Sequence, residues 1–199
     1  MRICAWILFI LSFCNYHVFA AVRQIPSASF DFKVAHASLY CDVLPGTSLG
    51  KPQFGISDKR FYKYDETILD AARHYKVDPF FIKAILVIES GLNPAAVSRA
   101  NARGIAQFMH TTAKTLGIVD RHNPDESIWG CAALVSKLGK RFDGNMCLVA
   151  AAYNAGPQAI VRAGRELTRM GRETQRYVPS VMNVWKAMCC HYTASNQDH

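Results

Sequence analysis

From about residue 58 to residue 192 the apolar positions recur at intervals of three and four, the spacing of amphipathic helices, and strand-like alternation is nearly absent. Asp65 is placed to cap a helix on which Ile68, Leu69, Ala72 and Tyr75 share a face. Asp78 caps the next, with Pro79 at a first position where the missing N–H costs nothing. That helix reads Phe80, Phe81, Ile82, Ala84, Ile85, Leu86, Val87, Ile88 and is apolar on nearly every face, so it belongs at the centre of the core. Gly91 and the Asn93-Pro94 pair stop it. Thr111 opens a short helix closed by Gly117, and Asn123-Pro124-Asp125 launches a longer one with Ile128, Cys131, Val135, Leu138 and Phe142 in phase. A segment from Met146 to Tyr153 breaks at Asn154-Ala155-Gly156, and Pro157 begins another helix. The last runs from about Thr174 to Cys190, with Tyr177, Val181, Val184, Trp185 and Met188 inward and Pro179 in its first turns. The pattern predicts an all-α, or mainly α, fold.

The two ends of the chain read differently. Met1 and Arg2 precede an apolar stretch from Ile3 to Phe13, closed by Asn15, Tyr16 and His17, and Ala20 ends a plausible cleavage site; residues 1–20 are expected to be a signal peptide. The stretch is short for a membrane span of about 20 residues, and bulky Phe13 argues against lipidation at Cys14. Residues 21–57 carry scattered Pro, Gly and Ser without a period and form an irregular arm. A single helical domain over 58–192 and a frayed tail over 193–199 complete the division. At 199 residues, half of them hydrophobic and 19% charged, the chain is neither disordered nor a multi-pass membrane protein.

Charge narrows the choice of partner. The net charge is +8, or +7 once residues 1–20 are removed, which favours anionic surfaces. No basic helix interleaved with aromatics and no nucleic-acid motif occurs, so an anionic cell-envelope polymer suits an exported chain better than nucleic acid. Arg162, Arg165, Arg169, Arg172 and Arg176 recur at three and four; interrupted by Gly164 and Gly171, they read first as a solvated basic face and second as a place for anionic peptide stems. Seven cysteines occur, of which Cys41, Cys131, Cys147, Cys189 and Cys190 would remain after export, in a compartment that permits disulfides. Cys131 and Cys147 fall in apolar helical phase and read as small hydrophobes. Without Cys-x-x-Cys or His-Glu-x-x-His, no metal and no cofactor is expected.

Glu89 stands out chemically. It follows the apolar run at the C-terminal end of its helix, where desolvation and the negative end of the helix dipole both favour the protonated form. A carboxyl kept protonated near neutral pH in an apolar wall is a general acid.

Around it lie Glu89-Ser90-Gly91 with Asn93-Pro94, then Ser98, Gly104-Ile105-Ala106-Gln107, Ala152-Tyr153-Asn154-Ala155-Gly156 and Glu173-Thr174-Gln175-Arg176-Tyr177-Val178. In this order, over roughly residues 60–190, the motifs resemble the soluble lytic transglycosylase family. The resemblance implies a lysozyme-like helical domain that cleaves the β-1,4 bond between N-acetylmuramic acid and N-acetylglucosamine in bacterial peptidoglycan, with Glu89 catalytic. It implies that Ser98 holds the N-acetyl group, that Gln107 and Met109 line sugar subsites near Gly104, that Tyr153 and Asn154 stand across the cleft, and that Tyr177 completes the wall. Glu173 would hold the architecture together through hydrogen bonds. Read singly, Ser98 would cap a turn, Gln107 would be solvated, and both tyrosines would be core aromatics. The chain departs from the family at Ala106, where a large methionine is usual and subsite shape is therefore in question. It departs also at Asn101, often Gly, which tolerates a left-handed backbone, and at His110, often Pro.

A retaining or inverting glycosidase normally needs two carboxylates. After Glu89 the next acid is Asp120, and Asp120, Asp125 and Glu126 cluster at a helix start where capping explains them. One acid would then serve twice, protonating the leaving oxygen and afterwards taking the proton of the muramic C6 hydroxyl, which closes on C1 as a 1,6-anhydro sugar. Glu173 could still approach in space. The rivals are a hydrolytic muramidase on the same scaffold and a non-catalytic peptidoglycan-binding scaffold protein. Small members of the family accompany secretion, conjugation or pilus machines, so such a machine is a candidate partner of a periplasmic or exported chain.

Overall fold

The computed structural model describes residues 58–195. The expected signal peptide and the arm over 21–57 lie outside the described residues, as do residues 196–199 of the expected tail. In order come α1 (Asp58–Tyr62), α2 (Asp65–Tyr75), α3 (Pro79–Ser90), α4 (His110–Leu116), α5 (Pro124–Arg141), α6 (Met146–Ala155), α7 (Pro157–Arg162), a 3₁₀ turn (Leu167–Arg169) and α8 (Arg172–Ser195). Among the described residues there is no strand, only two isolated bridges, Val97 with Arg103 and Arg103 with Phe108. The all-α expectation holds.

α3 is the axis of the fold. Every residue from Phe81 to Val87 is buried, because α8 covers one side of the helix while α2 and α5 close others. Truncating fully buried Phe81 to Ala would cost about 3–5 kcal/mol. Lys83, the one cation in this helix, is buried as well; its Nζ donates to Asp65 Oδ1 at 2.6 Å and lies over the Phe61 ring. α6 is nearly as enclosed, buried from Cys147 to Ala152, and packs against α5, α7 and α8. The five residues expected in phase on α5, Ile128, Cys131, Val135, Leu138 and Phe142, are all buried.

Five local expectations need correction. Asp65 is the first residue of α2, not its cap: Tyr64 holds that position without a side-chain bond, and the Asp65 carboxylate is committed to Lys83 across the helix pair. α8 starts at Arg172 and continues to Ser195, so 193–195 are helical rather than tail, and Pro179 lies inside the helix rather than in its first turns. Packing of α8 along α3 and α6 outweighs the hydrogen bond that proline removes. The arginine series does not share one helical face: Arg162 ends α7, Arg165 sits at φ 63° in a loop, Arg169 ends the 3₁₀ turn, and Arg172 and Arg176 begin α8. Cys131 is a buried thiol as expected, whereas Cys147, equally buried, is disulfide-bonded. Among the described residues no helix is long and apolar enough to cross a membrane, and no cluster of His, Cys, Asp or Glu is arranged to hold a metal ion.

Candidate active site

The site begins where α3 ends. Gly91 adopts φ 61° and terminates the helix, its N–H returning to the last turn. Ser90 then ties the helix end to the following loop: its hydroxyl donates to the Ile105 carbonyl at 2.8 Å and accepts from the Asn93 N–H at 3.0 Å. The loop over 91–109 is cross-linked by backbone bonds, including Arg103 with Phe108 in both directions and the Gly104 N–H to the Ala96 carbonyl. Gly104 has no alternative there. At φ +79°, a Cβ on it would lie 1.6 Å from the Arg121 carbonyl oxygen. Asn101 does take the left-handed conformation expected of it, at φ 64°. His110 opens α4, a position where proline is equally at home.

Glu89 is half-buried in the last turn of α3. The Tyr177 hydroxyl, arriving from α8, donates to its Oε1 at 2.7 Å. Burial pushes the Glu89 carboxyl up to about 7; the Tyr177 hydrogen bond opposes this, and the negative charge of Glu173 adds to it. At neutral pH the group is therefore divided between acid and base, the condition for passing a proton in both directions.

A second buried cluster backs the first. The Tyr153 hydroxyl donates to the Ala106 carbonyl at 3.0 Å and is hydrogen-bonded to the Cys131 thiol, which burial pushes up to about 12. Burial also drives the phenols of Tyr153 and Tyr177 well above their usual range, reinforced by the charge of Glu89. Both remain neutral donors at any working pH. The third group is polar and runs from the interior to the surface: the hydroxyl of buried Thr174 donates to Oδ1 of half-buried Asn154 at 2.8 Å, and Asn154 Nδ2 donates to Oε1 of exposed Glu173 at 3.2 Å.

The structure thus brings together Glu89, Tyr177, Tyr153 and Glu173, the last by its charge, and Asn154 through its bond to Glu173. It treats the loop residues differently. Ser98 does cap its turn, accepting the Ala102 N–H at 3.0 Å. Gln107, half-buried at φ 50°, is not simply solvated, since its amide nitrogen donates to the carbonyls of Ala96 and Gly104. Met109 is 44% exposed at the loop's end. Ala106 is fully buried, so the small residue there alters the core under the loop rather than a cleft wall. Sequence reasoning missed Cys131 and Thr174 as neighbours of the site. Thr174 was within a quoted motif; nothing local marks Cys131.

The fold and site define a class of helical domain in which a carboxyl near neutrality stands at the end of a core helix and accepts from a phenol. Comparison with known proteins gives the class its family. The chain belongs to the transglycosylase SLT domain family, whose model matches residues 66–175. It is 33% identical over 118 residues to the transglycosylase of Enterobacteria phage PRD1, covering 59% of this chain and 41% of that protein. Membrane-bound lytic murein transglycosylase D of Escherichia coli (strain K12) is 29% identical over 121 residues, covering 52% of this chain and 27% of that one. A putative soluble lytic murein transglycosylase of Haemophilus influenzae is 35% identical over 115 residues, 53% of this chain and 19% of the other. The chain therefore spans less than half the length of these relatives. Among solved structures, an inactive glutamate-to-glutamine mutant of lytic transglycosylase Slt from Pseudomonas aeruginosa superposes with a TM-score of 0.56 at 24% identity, covering 65% of this chain and 25% of that one. That likeness identifies the fold as the lysozyme-like one of lytic transglycosylases.

Proposed function

We propose that this protein is a peptidoglycan lytic transglycosylase that cleaves the β-1,4 bond between N-acetylmuramic acid and N-acetylglucosamine and leaves 1,6-anhydromuramic ends. The observation that carries the reading is Glu89, a carboxyl pushed up to about 7 and held by Tyr177 at 2.7 Å. Protonated Glu89 gives its proton to the glycosidic oxygen as the bond to C1 breaks. The N-acetyl group, held by Ser98, stabilises the positive charge at C1; the Ser98 oxygen is already accepting from Ala102, which leaves its O–H to donate. Glu89, now a carboxylate steadied by Tyr177, takes the proton of the C6 hydroxyl, and O6 bonds to C1. With its nitrogen engaged in the loop, Gln107 meets a sugar through its carbonyl oxygen, and exposed Met109 offers an apolar surface beside it. Asn154 and Tyr153 form the facing wall.

One observation favours a second reading. The charge of Glu173 reaches Glu89, so a hydrolytic muramidase could use Glu173 as base. Digestion of purified peptidoglycan followed by mass spectrometry separates the two: anhydro ends are lighter by one water than hydrolytic ends. Reducing ends would replace the first reading with the second. Binding without released fragments would favour the scaffold protein. A peptidoglycan substrate also requires export, for which residues 1–20 would be the signal, and N-terminal sequencing of exported protein should begin at Ala21. Service to a secretion or conjugation machine belongs to the same reading.

A further inference from the structure

Beside the cleft wall lies a groove of about 360 Å³, lined by Ala159, Arg162, Ala163, Arg169, Met170 and Gly171. Its size falls within the range of sites that hold small ligands. Three of the six carry at most a methyl group, two are guanidinium groups, and Met170 adds a half-buried thioether. Arg169 is anchored: its Nε donates to Glu166 Oε2 at 2.7 Å, and its Nη1 lies 3.8 Å from where a Cβ on Gly164 would be. Glu166 engages one N–H of the fork and leaves the other donors of Arg169 uncommitted to it. Arg162 is exposed and makes no ion pair with any described residue.

Both segments that line the groove continue into the site. α7 begins three residues after Asn154, and Gly171 precedes Glu173 by two, while Asn154 and Glu173 are themselves bonded. A positively charged depression with small and apolar lining selects a short peptide of small residues that bears free carboxylates, since guanidinium groups take carboxylates in paired hydrogen bonds. The peptide carried by each muramic acid of peptidoglycan, rich in alanine and acidic, has that chemistry. We propose that this groove holds the stem peptide of the substrate, with Arg162 and Arg169 binding its carboxylates, so that the protein selects glycan strands that still carry peptides. The proposal rests on the peptidoglycan reading of the site.

The test uses the full chain and two probes. The first is the free stem tetrapeptide, titrated against the protein by NMR, which needs no turnover. Wild type should bind it weakly and lose the binding as salt rises, and Arg162→Ala with Arg169→Ala should weaken it about fivefold or more. The second is kinetics on peptide-bearing strands against the same strands stripped of peptides by an amidase. The double variant should raise KM about fivefold on the former and leave kcat, and both parameters on stripped strands, unchanged. Arg165→Ala is the control for loss of a nearby arginine, matched in charge to either single groove variant, because Arg165 is exposed, paired with Asp143 at 3.0 Å and outside the groove lining; it should behave as wild type. Absence of peptide binding by wild type, equal KM values of wild type on the two kinds of strand, or an equal loss in Arg165→Ala would overturn the proposal. Peptide binding by a protein that cleaves neither kind of strand would instead count against the catalytic reading and leave the groove standing.

Discussion

α3 has an acid at each end, Asp78 buried and Glu89 half-buried, and their surroundings differ. Asp78, at the N-terminus, accepts from the Phe80 N–H at 2.7 Å, the Phe81 N–H at 3.3 Å and Trp185 Nε1 at 2.8 Å. Burial raises its carboxyl above the usual range, while these donors offset part of that rise and the positive end of the helix dipole favours its charge. Glu89, at the C-terminus, accepts from the Tyr177 hydroxyl, faces the negative end of the same dipole and is raised to about 7. Both donors from a distance, Trp185 and Tyr177, come from α8. The same two helices thus make a cap at one end and a carboxyl near neutrality at the other. What differs is the number of donors and the sign of the local field.

The comparison breaks most visibly at Glu89. Glu89→Gln keeps the shape and removes the proton, so kcat on peptidoglycan should fall by about 10²–10⁴-fold, measured by release of soluble fragments. Stability should move the other way with pH. The raised value means that the folded protein holds a proton the unfolded chain releases, so wild type loses stability as pH climbs from the ordinary 4.5 to about 7. Glutamine has no such loss. Its melting temperature relative to wild type should rise between pH 4 and pH 8; an unchanging difference would mean that Glu89 is not held protonated.

At the other end the effect should be on folding alone. Asp78→Ala removes the cap and leaves the Trp185 N–H without its acceptor, costing about 2–4 kcal/mol. Urea denaturation should show a lower midpoint at an unchanged slope, with kcat per folded molecule preserved. A loss of kcat at full folding would mean that the two ends are not independent.

These two acids also mark how far the sequence could be read. Asp78-Pro79 and Gly91 were legible as the bounds of α3 because cap chemistry is settled within a few residues, and Glu89 was legible because the apolar run before it implies burial. Asp65 was misread as a cap for the converse reason. Its partner Lys83 lies 18 residues away and meets it only after α2 and α3 pack. Cys131 against Tyr153, and the charge of Glu173 acting on Glu89, likewise depend on the packing of α5 with α6 and of α8 with α3, which no local pattern encodes. Ser98 and Gln107 were recognised by motif, yet their bonds into the 91–109 loop follow from that loop's fold.

Tyr177→Phe sharpens the contrast by leaving Glu89 with one donor fewer still. The hydroxyl lowers the Glu89 pKa, so its removal should raise it further and carry the alkaline limb of the pH–rate profile to higher pH. The plateau should also drop about tenfold, because the carboxylate formed after the first proton transfer loses a charge-assisted hydrogen bond. An unshifted limb with a lower plateau would reduce Tyr177 to a packing residue.

Glu173→Gln should have the smallest effect and the opposite direction. Its charge is the weakest of the three influences on Glu89 and raises it; neutralising it lets the Glu89 pKa fall, and the alkaline limb should move to lower pH. The wall itself should survive, because the glutamine carbonyl can still accept from Asn154 Nδ2, as the carboxylate does at 3.2 Å. The plateau rate should then stay within about twofold of wild type, as expected for an exposed charge that acts only through its field. A general base would behave otherwise. If Glu173 activated water, the plateau would collapse by about 10²-fold or more while the limb set by Glu89 still shifted down. The size of the plateau change, read on one variant at two pH values, therefore distinguishes an electrostatic neighbour from a second catalytic carboxylate.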